Sequence, residues 1–110
     1  MRIALLADIH ANREAFEAVL ARVATLNVDR IGLLGDIVGY GPDPEFCTEK
    51  AEELVAAGAF AIKGNHDAAI EGDHSDMNEL ARRGIDYARG KLGPAHRRFL
   101  AEMPLSVEEG

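Results

Sequence analysis

A chain of 110 residues has the length of one ordinary domain, long enough to bury a single core and too short for two independent ones. Hydrophobic residues make up 47% and charged residues 28%, and no uninterrupted apolar run approaches the roughly 20 residues of a membrane span, which argues against a disordered or transmembrane chain. Twelve Lys and Arg against 19 Asp and Glu leave a formal net charge of −7, so bulk nucleic-acid binding by phosphate neutralisation would run against the chain's own field.

The single cysteine, Cys47, cannot close an intrachain disulfide, and the N-terminus enters a strand-like run without a signal-peptide pattern. These features predict a cytoplasmic protein, folded as one domain over residues 1–110.

The first element is the apolar run Ile3-Ala4-Leu5-Leu6-Ala7, which reads as a strand of a parallel sheet covered on both faces and stops at Asp8-Ile9-His10. Asn12 is a candidate N-cap, and Phe16, Val19, Leu20 and Val23 recur at i, i+3, i+4, i+7, which predicts a helix over about residues 12 to 26. Ile31-Gly32-Leu33-Leu34 repeats the strand pattern and ends at Gly35-Asp36. A Gly- and Pro-rich loop, residues 39–44, leads to a second helical stripe of Cys47, Ala51, Leu54 and Val55, with Gly58 as its stop.

Ala59-Phe60-Ala61-Ile62 predicts a third strand, ending at Gly64-Asn65-His66-Asp67. Met77, Leu80, Ala81, Ile85 and Ala88 fit a third helix; Pro94 opens a shorter one with Phe99, Leu100 and Met103, ended by Pro104. Glu108-Glu109-Gly110 is expected to fray. Strands alternating with helices predict an α/β layered fold.

Sites in such sheets form outside the carboxyl ends of the strands, and here each strand delivers Asp, His or Asn to that edge. Asp8, His10, Asp36, Asn65 and His66 combine carboxylate oxygen, imidazole nitrogen and amide oxygen, a set suited to Mn, Fe, Zn or Co ions. If the segment after the first strand stays extended, Asp8 and His10, two residues apart, point to the same side and chelate one ion. Asp67 is expected either to cap the following segment or to orient the neighbouring His66 ring. Tyr40 is expected to line the pocket or pack on its loop, and Cys47 to be a small buried hydrophobe.

His74 and His96 are expected to be solvated, and the pairs Arg82-Arg83 and Arg97-Arg98 to form solvated helix faces. Gly39-Tyr40-Gly41 lacks the third glycine of a dinucleotide-binding turn, which sets a Rossmann dehydrogenase aside.

Asp8-x-His10, Gly35-Asp36 and Gly64-Asn65-His66-Asp67, in that order and after strands, resemble the signature of the calcineurin-like metallophosphoesterases. The segment Leu34 to Pro42 resembles more narrowly the small bacterial phosphodiesterase-like branch. The resemblance implies a layered α/β/β/α fold, of which this chain holds the first β-α-β-α-β half plus two further helices. It also implies hydrolysis of phosphate mono- or diesters, with a small-molecule ester or nucleotide as substrate. By the same resemblance Asp8, His10 and Asp36 hold one divalent transition-metal ion and Asp36 and Asn65 a second. A bridging hydroxide is then the nucleophile, with His66 as general acid and Asp67 orienting its ring.

Family members continue into a second sheet bearing Gly-His and Gly-His-x-His ligands, motifs in which neither His74 nor His96 sits. The site implied for this chain is therefore open, with three ligands to one ion and two to the other. Two alternative readings stand beside the enzyme: a metal-binding fragment without turnover, and a half-domain that self-associates into a homo-oligomer through an exposed sheet edge.

Overall fold

The computed structural model describes residues 1–108; Glu109 and Gly110, two of the three residues expected to fray, lie outside the described residues. Three strands, β1 (Ile3–Leu6), β2 (Arg30–Leu33) and β3 (Phe60–Ala61), form a parallel sheet in the order β1-β2-β3. Ile3 pairs with Arg30 through to Leu6 with Leu33, and Leu33 pairs onward with Ala61. Helices α1 (Arg13–Val23) and α2 (Pro44–Ala56) connect them, and α3 (Asn65–Ala69), α4 (Glu79–Lys91) and α5 (Pro94–Glu102) follow β3. Among the described residues no helix is long and apolar enough to cross a membrane.

The local signals act as their chemistry requires. Asn12 caps α1 by accepting from the Ala15 amide at 3.0 Å, and Asn78 caps α4 by accepting from Ala81 at 2.9 Å. Pro44 and Pro94 stand in the first turns of α2 and α5, where a missing N–H costs nothing. Gly58 follows α2 with φ +115°, a left-handed stop that suits glycine. The helix α1 ends three residues short of its expected bound, at Val23.

Leu6, Leu33 and Ala61 from the sheet pack with Phe16, Cys47, Ala51, Ile85 and Leu100 in one core. Full burial of a side chain such as Leu33 or Ile85 stabilises the fold by about 1.5–3 kcal/mol. The expectation that β1 is covered on both faces fails. Ile3 and Leu5 point away from this core and are 37% and 61% exposed. Right-handed crossovers between strands in the order 1-2-3 put both connecting helices on the same face, so the apolar run is buried through Ala4 and Leu6 alone. Val19 and Leu80, placed on buried stripes by periodicity, are exposed as well.

Cys47 is fully buried, as its position on the inner stripe of α2 requires, and burial pushes its thiol up to about 12, with the nearby Asp43 acting in the same direction. The native chain therefore holds this proton after the unfolded chain, with an ordinary value of 9.0, has begun to lose it. The contribution of Cys47 to stability is expected to fall as pH rises from about 9 to about 12. At pH 8 the folded chain should leave a thiol-specific disulfide reagent unreacted over hours and react within minutes in denaturant; rapid native labelling would contradict this burial.

Candidate metal centre

The polar residues that follow the three strands meet at one edge of the sheet. Asp8 and His10 follow β1, Asp36 follows β2, and Asn65 and His66 open α3 after β3. Backbone bonds lace the first two loops together: the His10 amide donates to the Asp36 carbonyl and the Ala11 amide to that of Ile37, each at 2.8 Å. Asp8, His10, Ala11, Asp36 and Tyr40 have φ of 55°, 47°, 55°, 54° and 63°. Left-handed backbone costs a non-glycine residue about 1–2 kcal/mol, so five such residues around one point mark segments held by their surroundings.

Asp8 and His10 do not converge through strand alternation, as an extended segment would require. The left-handed turn breaks the strand and brings His10 Nε2 to 3.6 Å from Asp8 Oδ1 and 3.9 Å from Asp36 Oδ2. One ligand atom from each of these three residues lies within 4.8 Å of the others. His10 Nδ1 lies 3.2 Å from the Val38 carbonyl, an oxygen that can only accept. The ring proton of the neutral imidazole is thereby held on Nδ1, and the Nε2 lone pair faces two carboxylates. Such an arrangement is repulsive until a cation or proton stands among the three groups, and the mixed nitrogen and oxygen donors fit a borderline divalent ion.

The Asn65 amide lies beside Asp36; oriented with its nitrogen toward that residue, it donates to both carboxylate oxygens at 3.2 Å. Turning the amide over presents its oxygen there instead, as a neutral ligand. The His66 backbone amide donates to Asp36 Oδ1 at 2.9 Å, so Asp36 is held by α3 as well as by its own loop.

The Asp67 carboxylate does not orient the His66 ring. Asp67 Oδ2 accepts from the amides of Asp36 at 2.8 Å and Gly64 at 3.0 Å. Its Oδ1 accepts from Ile37 at 2.9 Å and Val38 at 3.3 Å. The reason is local geometry: α3 starts at Asn65, and a carboxylate at the third helical position turns back over the first-turn amides and across to the loop after β2. Asp67 is buried and its acidity lies at about 6, raised by burial against the lowering effect of these amide bonds.

His66 Nδ1 is buried without a hydrogen-bond partner, which leaves Nε2 as the ring nitrogen able to meet a ligand. Burial lowers its pKa; the charge of Asp36 opposes that shift, His10 adds to it, and Asp8 opposes it. The His66 ring lies 4.8 Å from that of His10 and 4.8 Å from that of Tyr40. Tyr40 thus lines the site.

His74 and His96 are paired, not free in solvent. His74 Nε2 is 2.8 Å from Asp86 Oδ1, and His96 Nε2 is 2.9 Å from Glu49 Oε1, while His96 Nδ1 accepts from the Gly93 amide at 3.0 Å. His74 ties the segment before α4 to that helix and His96 ties α5 to α2, both away from the strand ends. Arg83 pairs with Glu79 at 2.8 Å and Arg97 with Glu71 at 3.1 Å, so neither arginine is turned to the centre. Sequence reasoning missed Val38, whose contribution is a backbone carbonyl and carries no side-chain signal.

The family model for calcineurin-like phosphoesterases matches residues 1–107. An uncharacterised protein, MJ0912 of Methanocaldococcus jannaschii, is 35% identical over 109 residues, which are 97% of this chain and 44% of that protein. The crystal structure of a metallophosphoesterase from Sphaerobacter thermophilus matches with a TM-score of 0.81 and 40% identity over 100% of this chain and 44% of that one. The hypothetical protein PH1004 of Pyrococcus horikoshii OT3 matches with a TM-score of 0.83 and 26% identity, over 93% of this chain and 47% of that one. The chain thus spans less than half the length of the relatives it matches. Its three strand-end motifs and a family match over nearly every residue make it a member of the calcineurin-like phosphoesterase family.

Proposed function

We propose that this chain carries the part of a phosphoric ester hydrolase that holds divalent metal and meets the phosphoryl group. The observation that carries the reading is the His10 lone pair, fixed by Val38 and aimed at Asp8 and Asp36. Asp8, His10 and Asp36 would hold a first ion, and Asp36 with Asn65 a second. Bound divalent ions would polarise the phosphoryl oxygens and lower the pKa of an attacking water.

The chain's own residues do the rest. Asn65 adds an oxygen without adding charge, which keeps the centre open to an anionic ester. A neutral His66 with its proton on Nε2 presents a donor to the leaving oxygen, since Nδ1 is enclosed. Asp67 acts through the backbone, holding the Asp36 loop to the start of α3.

The test is Mn²⁺-dependent hydrolysis of aryl phosphate monoesters and diesters by the purified chain, with Asp36→Asn prepared identically. Turnover that falls at least about a hundred-fold in the variant is the expected result. Turnover absent from both, with metal still bound, would favour a metal-binding fragment without chemistry.

A further inference from the structure

The loop after β2 places Tyr40 at the rim of the centre in a way that its own backbone disfavours. Tyr40 has φ 63° and follows Gly39 at φ +95°. A turn of this shape is made without strain by glycine, whereas a bulky aromatic is poorly suited to it. Strain of this kind persists where the surroundings over-determine it, and here they do. A Cβ on Gly39 would run into Nδ1 of His66 and come within 2.9 Å of its Cγ. On the other side a Cβ on Gly84 of α4 would run into the Tyr40 amide and come within 2.9 Å of its Cα. The loop backbone at Tyr40 is therefore packed between the centre and α4.

The ring itself has surface to spare. Its centroid lies 5.1 Å from that of His10 at 75° and 4.8 Å from that of His66 at 42°, yet the residue is 50% exposed. Among the described residues its hydroxyl has no hydrogen-bond partner, so neither the core nor a polar tie accounts for an aromatic at this position. What remains is a planar apolar face beside the imidazoles that would flank a bound phosphoryl group.

We propose that Tyr40 is a specificity residue that stacks against a planar aromatic group on the alcohol side of the ester, as in an aryl or nucleoside phosphate. The inference rests on the phosphoesterase reading and names the substrate class that site prefers. A phosphate ester entering the centre places its alcohol part outward, toward the rim, where an aromatic group meets the Tyr40 face and an alkyl group gains little.

The experiment compares phenylphosphonate with ethylphosphonate, whose P–C bonds are not hydrolysed, by calorimetric titration of the Zn²⁺-loaded chain. The wild type and Tyr40→Phe are expected to bind phenylphosphonate about two- to ten-fold more tightly than ethylphosphonate. In Tyr40→Gly that ratio is expected to fall to about one, with the melting temperature unchanged or raised. Equal affinities in the wild type, or a preference that survives in Tyr40→Gly, overturn the role of Tyr40 alone. Failure of both phosphonates to bind removes the phosphoesterase reading and this inference with it.

Discussion

Replacing Asp67 by Asn is expected to destabilise the chain by about 1–3 kcal/mol at pH 7 and to weaken metal binding about ten- to a hundred-fold. The carboxylate accepts from four amides, two on each oxygen, across the loop after β2 and the start of α3. Asparagine keeps one of the two oxygens and turns an NH₂ toward the other pair of amides, leaving buried donors facing a donor. Each orphaned buried amide costs about 1–3 kcal/mol, partly offset because the neutral side chain avoids the ionisation that burial disfavours in Asp67.

The sign of the pH dependence follows. In the metal-free native chain Asp67 takes up a proton near 6, whereas the unfolded chain does so near 3.8. Its contribution to stability is therefore fully present below the unfolded value and falls as pH rises through 6. The stability gap between wild type and Asp67→Asn should widen as pH drops from 6 to 4, read by urea denaturation at each pH. An unchanged gap and wild-type metal affinity would mean that the four amides do not depend on this carboxylate.

Gly64→Ala is expected to cost about 1–3 kcal/mol and to reduce metal affinity more than ten-fold, although its backbone is one that any residue can adopt. Gly64 has φ −87° and ψ 171°, so the objection is space. A Cβ there would run into both the amide nitrogen and Oδ1 of Asp36 and lie 2.8 Å from its Cγ. The atoms that must give way are backbone and a metal-ligating carboxylate that the His66 amide also holds. Gly90→Ala is the contrasting change, because nothing lies within 4 Å of a Cβ there and the site is helical. It should stabilise by about 0.5–1 kcal/mol. Equal behaviour of the two variants in denaturation and metal titration would show that the β3 loop has room to move.

Asp8, His10 and Asp36 were legible because parallel strands discharge their carboxyl ends to one edge, whatever the details of each loop. How Asp8 and His10 meet was not legible, since three left-handed residues replace the alternation that spacing alone suggests. The partner of Asp67 was obscured for a related reason. Adjacency in sequence favoured the His66 ring, but α3, only five residues long and without apolar periodicity, turns the carboxylate back on the loops. Long-range pairings leave no local trace at all: His96 finds Glu49 across 47 positions and His74 finds Asp86 across 12. The open face at Ile3 and Leu5 escaped notice because an apolar run records hydrophobicity, whereas the number of elements packed on it is a property of topology.

The centre formed by Asp8, His10 and Asp36 is tested most directly by equilibrium dialysis of the metal-free chain against Mn²⁺, counting bound ions per chain beside Asp36→Asn. Bound Mn²⁺ in the wild type, with affinity at least ten-fold weaker in the variant, is the predicted result. No binding by the wild type, or binding that Asp36→Asn leaves unchanged, would contradict a metal centre at these strand ends.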